Sequence, residues 1–150
     1  MVRFIALRLA SWMTAGFLAF LISVLPGQPA LARVDAHVDL TNQLMVVTVN
    51  GRHYASWAIS SGRKGYRTPT GNYRPTSLRR MHYSSKYDDA PMPYSIFFHK
   101  GYAIHGTDKQ RHLGRPASHG CVRLHPRHAA ELYSLVKQHG RSKTRIHVSY

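Results

Sequence analysis

One cysteine, Cys121, serves all 150 residues, so no internal disulfide can form. Acidic residues are nearly as scarce: 6 Asp and Glu face 21 Lys and Arg, a formal charge of +15. That imbalance points to polyanionic surroundings, whether nucleic acid, an anionic membrane or an anionic wall polymer. Internal repeats and low-complexity tracts are absent, which excludes solenoid and linker architectures. With 43% hydrophobic and 11% aromatic residues, a packed core is expected rather than disorder, and the length suits one domain.

The N-terminus narrows the surroundings. Arg3 and Arg8 precede an apolar run over 12–25, then Pro26, Gly27 and Pro29, then Ala30-Leu31-Ala32. A basic start, a short apolar stretch and Ala-x-Ala make a secretory signal peptide, predicted to span 1–32 with cleavage after Ala32. A retained anchor is the rival reading, but a spanning helix needs about 20 apolar residues, and this run reaches that length only by including Arg8. The mature domain over 33–150 keeps a charge of +13. The predicted location is the periplasm or cell envelope, which argues against a nucleic-acid partner, and no nucleic-acid reading motif is present.

Export makes the lone cysteine informative. Exported cysteines usually pair, so an odd one signals an intermolecular bond or a reactive thiol, against the plainer reading of an inert buried Cys.

The mature segment reads as mainly β. Strict alternation over 34–40 is the period of a strand with one buried face. Residues 44–49 form a second, β-branched strand, Asn50-Gly51 a hairpin turn, and 54–59 a third strand. Thr68-Pro69-Thr70-Gly71 is a turn into a short strand at 72–74. The stretch 77–93 has no clear period and is predicted to be a long surface loop, a type often used for substrate binding. Strands return at 94–99 and 102–105, and 106–118 is polar and glycine-bearing. Pro126 opens the main helix, to about Gln138, with Ala129, Leu132, Tyr133 and Val136 as its apolar stripe and Gly140 as its stop. Thr144, Ile146 and Val148 alternate as a closing strand.

Cys121 lies in Ser118-His119-Gly120-Cys121-Val122-Arg123-Leu124, between the polar stretch and the helix. A thiol gains nucleophilicity near a cation or a helix N-terminus; His119, Arg123 and the downstream helix are candidates. The backbone at Gly120 and Cys121 could face a developing oxyanion. A thiol catalyst also needs a base. Among 11 histidines, His119 is adjacent in sequence and His105 ends a strand, where sites gather.

These residues resemble a known signature. His105-Gly106-Thr107, Leu113-Gly114 and then Pro116 through Leu124 are similar to the L,D-transpeptidase catalytic (YkuD) family. Thr68-Pro69-Thr70-Gly71-Asn72-Tyr73 resembles that family's Thr-Pro-x-Gly-x-aromatic turn, and Pro91-Met92-Pro93-Tyr94 to Phe98 its strand before the histidine. The resemblance implies a β-sandwich-like fold with one main helix after the catalytic cysteine. It makes Cys121 the nucleophile and His105 the base, with no cofactor or metal. Ser118 and His119 would shape the pocket, Gly120 and Cys121 would supply oxyanion amides, and Arg123 would meet a substrate carboxylate. The implied activity is attack on the third stem-peptide residue of peptidoglycan, release of D-Ala, and transfer to an amine on another stem or an envelope protein. Transfer to water would make a carboxypeptidase instead. One departure is Gly106, where some relatives carry Ser.

Two rivals are weighed beside it. Zinc on His99, His105, His119 and Cys121, or on His125 and His128, would require spacings that match no established zinc pattern. A non-enzymatic envelope binder, using Arg79, Arg80, Arg111, Arg115, Arg141, Lys143 and Arg145, accounts for the charge but not for the cysteine motif. A catalytic Cys121 is expected to alkylate near neutral pH faster than an inert thiol. His37, His53, His82, His139 and His147 read as surface or strand-face residues, Trp57 and Tyr73 as core or rim. Tyr94 and Tyr102 either line the cleft or simply pack. Oligomeric state is not legible.

Overall fold

The computed structural model describes residues 33–150; the leader expected over 1–32 lies outside the described residues. Nine strands and one helix follow one another in the order β1 (Val34–Asp39), β2 (Leu44–Val49), β3 (Arg52–Ala58), β4 (Gly71–Tyr73), β5 (Ser77–Ser84), β6 (Ala90–His99), β7 (Tyr102–Gly106), β8 (Val122–Leu124), α1 (Pro126–His139) and β9 (Thr144–Ser149). They form two sheets. One has the order β3-β2-β1-β9-β4 and the other β5-β6-β7-β8. The fold is therefore mainly β with one main helix after Cys121, as expected from the sequence.

In the first sheet, alternation decides everything. Val34, Ala36 and Val38 point inward from β1, and Ile146 and Val148 from β9, which runs parallel beside it. Asn50 and Gly51 take positive φ, 54° and 76°, the backbone a two-residue hairpin turn requires. At the preceding turn, between β1 and β2, Asp39 accepts hydrogen bonds from the Thr41 and Asn42 backbone amides, the local satisfaction that favours Asp at turns.

The inner faces meet in a shared core. Val34, Val47 and Ile59 from one side join Ile96, Ile104, Val122 and Leu124 from the other, with Ala129, Leu132 and Val136 of α1. Each such aliphatic side chain contributes about 1.5–3 kcal/mol by leaving water. The helix packs on β6 and β7. Pro126 stands in its first turn, His125 caps it by accepting from the Arg127 amide, and Gly140 ends it with φ 91°. Tyr133 is only half-buried, at the edge of the expected stripe.

One expectation fails. Residues 77–93, expected to be a loop, form β5 and the first part of β6, paired antiparallel from Ser77 opposite Phe97 to Ser84 opposite Ala90. Most of β5 is exposed or half-exposed. A ribbon solvated on both faces has no buried side to impose a period of two, so its strands leave no alternating pattern. Strand β6 is also irregular: Tyr94 has φ 55°, and its register shifts between Phe97 and His99. Strand β8 is too short to show a period.

Candidate active site

The pairing of β7 with β8 builds the site. They run parallel, with Ile104 opposite Val122 and His105 opposite Arg123. Side chains alternate across a strand, so Ile104, Val122 and Leu124 enter the core while His105, Cys121 and Arg123 share the other face. All three line one cavity of about 860 Å³, whose walls also include His82, Tyr87, Tyr102, Asp108 and His119.

The chain entering β8 is held on its far side by the loop after β3. Arg123 and Ser60 exchange backbone hydrogen bonds of 2.9 and 3.0 Å, and the Ala117 and Ser118 amides both donate to the Ser61 carbonyl. Thr68 Oγ1 accepts from the Gly62 amide and donates to the Gly120 carbonyl. The Thr-Pro turn thus braces the cysteine loop from below.

His105 is 6% exposed, and its Nδ1 lies 2.7 Å from the Gly106 carbonyl oxygen. A carbonyl only accepts, so Nδ1 carries the proton and Nε2 of the neutral ring is the acceptor. The partner orienting His105 is therefore backbone, not a carboxylate. Burial pushes the ring's pKa down to about 4, assisted by the charges of Arg123 and His82 and opposed by the Gly106 carbonyl. Gly106 is itself buried: a Cβ there would sit 3.0 Å from Pro126 Cα and 3.1 Å from Pro93 Cγ. A serine in its place would have to displace both prolines.

Cys121 is half-buried and free. Burial raises its pKa, which outweighs the lowering by the Ala103 backbone amide and the Arg123 guanidinium. In the structure as it stands, burial therefore works against the activation by neighbours that the sequence suggested. Desolvation dominates because the one close cation, Arg123, is itself half-buried and held below its ordinary pKa by that burial.

The other expected residues take distinct places. Ser118 is buried; its Oγ accepts from the Gly120 amide at 2.9 Å and donates to the Cys121 carbonyl at 2.6 Å. It fastens the loop. The Gly120 amide is therefore already engaged by Ser118 Oγ, against the expectation that it faces an oxyanion. Gly120 has another role: φ is 112°, and a Cβ would fall 2.5 Å from Tyr102 Cε1. The backbone passes this ring only because no side chain intervenes. His119 lies between Tyr87, stacked at 4.3 Å, and Tyr66, edge-on at 4.7 Å. It links the tip of the β5–β6 ribbon to the cysteine loop.

Tyr102 lines the cavity, whereas Tyr94 packs edge-on against Tyr133. His82, read from sequence as a surface residue, is a cavity wall, and Lys86 and Tyr87 join it from the ribbon. No periodic signal marked these residues. His99 packs on Tyr73 rather than turning to the site, and His125 is engaged at the helix cap. Among the described residues no group of three or more His, Cys, Asp or Glu is placed to hold a metal ion.

A two-sheet β domain with His on one strand and Cys at the entry to the parallel strand beside it, facing one polar cleft, defines the class. The chain belongs to the L,D-transpeptidase catalytic domain family, YkuD, whose model matches residues 33–148. It is 27% identical over 128 residues to a Bacillus subtilis (strain 168) protein provisionally assigned as the L,D-transpeptidase YkuD, covering 81% of this chain and 73% of that one. Solved L,D-transpeptidase structures share the fold. The one from Stackebrandtia nassauensis has a TM-score of 0.69 at 27% identity, covering 79% of this chain and 56% of that chain. For the Mycobacterium smegmatis structure the values are 0.71, 19%, 79% and 59%. The chain thus spans less than two thirds of the length of these solved chains.

Proposed function

We propose that this protein is an exported peptidoglycan L,D-transpeptidase in which Cys121 is the nucleophile and His105 the general base. The observation that carries this reading is the juxtaposition of the two side chains on one face of β7 and β8, with His105 Nδ1 tied to Gly106.

Both groups are neutral at rest, since the imidazole lies near 4 and the thiol is raised. Proton transfer therefore accompanies attack rather than preceding it. Sγ bonds to the carbonyl carbon of the third stem residue, meso-diaminopimelate, as its proton passes to His105 Nε2. The tetrahedral oxyanion is received by the Cys121 amide. The imidazolium then gives its proton to the departing D-Ala amine, leaving a thioester. An amine from a second stem or an envelope protein attacks that thioester, and water in its place would make the enzyme a carboxypeptidase. Cavity chemistry suits an amphoteric stem: Arg123, Lys86, Lys100 and Lys109 can meet carboxylates, and Asp88 and Asp108 an amine.

Incubation with a disaccharide-tetrapeptide, read by intact mass, tests the reading. A transient acyl adduct with D-Ala release, absent in Cys121→Ala, is the expected result. A folded protein that gives neither adduct nor D-Ala sinks it. Thiol alkylation supplies a second check: its rate should climb only above the ordinary thiol range, and a fast reaction at pH 7 would contradict a proton transfer concerted with attack.

A further inference from the structure

Cys121 and Thr68 stand on different sides of one segment of backbone. Cys121 lines the larger cavity with Ser118, His119 and Arg123, whereas Thr68 lines a separate one of about 310 Å³ beside Pro116. Thr68 is 3% exposed and is not part of the wall around Cys121, so it does not touch a substrate held there. Its hydroxyl is nonetheless fully committed. An amide N–H only donates, and that of Gly62 does so to Oγ1 at 2.9 Å; a carbonyl only accepts, and that of Gly120 takes the hydroxyl proton at 2.8 Å. The base from which Thr68 reaches is firm. Arg63 N donates to the Ser118 carbonyl and Tyr66 N to that of Arg63, and a Cβ at Gly62 would collide with the Tyr66 carbonyl, so the loop is folded closely on itself.

What the Thr68 bond does follows from the peptide plane. Ser118 Oγ holds the Gly120 N–H and the Cys121 carbonyl, which belong to the peptides on either side of the 120–121 unit. Among the described residues the Gly120 carbonyl has Thr68 as its partner, and no acceptor takes the Cys121 N–H. Gly120, with no side chain and a φ of 112°, gives this peptide little resistance of its own to rotation. The peptide is trans, so the Cys121 N–H points opposite to the Gly120 C=O. Drawing the carbonyl toward Thr68 therefore turns the N–H away from the 59–68 loop.

We propose that Thr68 is a positioning residue for acyl transfer: by fixing the 120–121 peptide it aims the Cys121 N–H at the oxyanion formed when Sγ attacks. The role rests on the transpeptidase reading and adds to it the group that sets the donor's direction. A donor aimed in advance is effective because it needs no reorientation as charge develops. Without the hydroxyl, the Gly120 carbonyl and the Gly62 N–H are left unpaired, and the peptide is free to turn toward another donor.

Thr68→Val, Thr68→Ser and Thr68→Ala separate the hydroxyl from the space it fills. Acyl-adduct formation on the disaccharide-tetrapeptide, followed by intact mass at rising substrate concentration, gives a saturating rate and a half-saturating concentration. Thr68→Val is expected to lower the saturating rate about 30-fold and to leave half-saturation within about twofold. Thr68→Ser, which keeps the hydroxyl, should stay within about threefold of the wild-type rate. A packing role predicts the opposite order, because valine matches threonine in volume and serine does not. A valine variant as fast as the serine variant therefore overturns the proposal, and so does a loss that appears in half-saturation rather than in rate. If valine prevents folding, serine against alanine makes the same comparison, and equal rates in those two overturn it. A folded wild type that forms no adduct sinks the transpeptidase reading and this role with it. A wild type that forms adduct no faster than Thr68→Val sinks the role alone.

Discussion

The two sheets of this domain are built on opposite terms. In the first sheet the inner strands β1, β2 and β9 alternate buried side chains with solvated ones, and its polar groups are spent on turns. In the sheet of β6, β7 and β8 the outer face is also partly enclosed, because His105, Cys121 and Arg123 line a cleft there. The first sheet's residues are exchangeable for others of like volume. The second's are not, because they fix a proton on Nδ1, a thiol in a dry site and a backbone against an aromatic ring. Stability and chemistry are thereby assigned to different sheets joined by one core.

The sharpest break between them is a pair of truncations. Cys121→Ala is expected to lower turnover by about 10⁴-fold or more with an unchanged melting transition. Ile146→Ala in β9, at a site 2% exposed, should do the reverse, costing about 3 kcal/mol of stability while the remaining folded protein keeps its turnover. Calorimetry with D-Ala release reads both, and a Cys121→Ala protein with substantial residual turnover would dissolve the contrast.

Acid should expose the second sheet next. His105 has a folded pKa near 4 against an ordinary 6.5, so between those values the unfolded chain takes up a proton that the folded one refuses. Stability therefore falls as pH drops from 6.5 to 4, by about 3 kcal/mol, and is flat in this term above 6.5. His105→Gln should remove most of that slope in denaturant titrations; an unaltered slope would place its origin elsewhere.

Gly120→Ala is expected to cut kcat/KM by about 10²-fold, since the loop must shift to clear Tyr102 and the cysteine moves with it. Tyr102→Ala should recover part of the loss. The residual loss reflects the φ of 112°, which alanine tolerates poorly. The smallest effect belongs to the first sheet: Arg33→Ala removes an exposed ion pair with Asp35 and should change stability by about 0.5 kcal/mol or less. A larger change would mean that the start of β1, the central strand of the scaffold sheet, carries more than packing.

Legibility followed the same division. Strands β1, β2 and β9 were readable from alternation, and the Asn50-Gly51 hairpin from its turn chemistry, because burial on one face writes a period into the chain. Cys121 and His105 stood out as candidates because a lone thiol within Ser-His-Gly-Cys, downstream of a His-Gly-Thr, is a specific pattern, and the structure places both on one cavity. The β5–β6 ribbon was not, and His82, Lys86 and Tyr87 were lost with it, since solvent on both sides leaves no pattern. The Gly120 amide was misassigned for a different reason. Sequence places it beside the nucleophile but does not reveal that Ser118 Oγ occupies it.

The amino-acid sequence alone determined the family and the mainly β class, and it singled out Cys121 and His105 as the candidate nucleophile and base, all of them matters of local pattern and residue chemistry. Tertiary structure alone decided which backbone carbonyl orients His105, that Ser118 Oγ engages the Gly120 amide, and that burial pushes the thiol's pKa up and the imidazole's down. Those depend on which groups share a dry or crowded space, and such proximity is created between residues distant along the chain only when it folds.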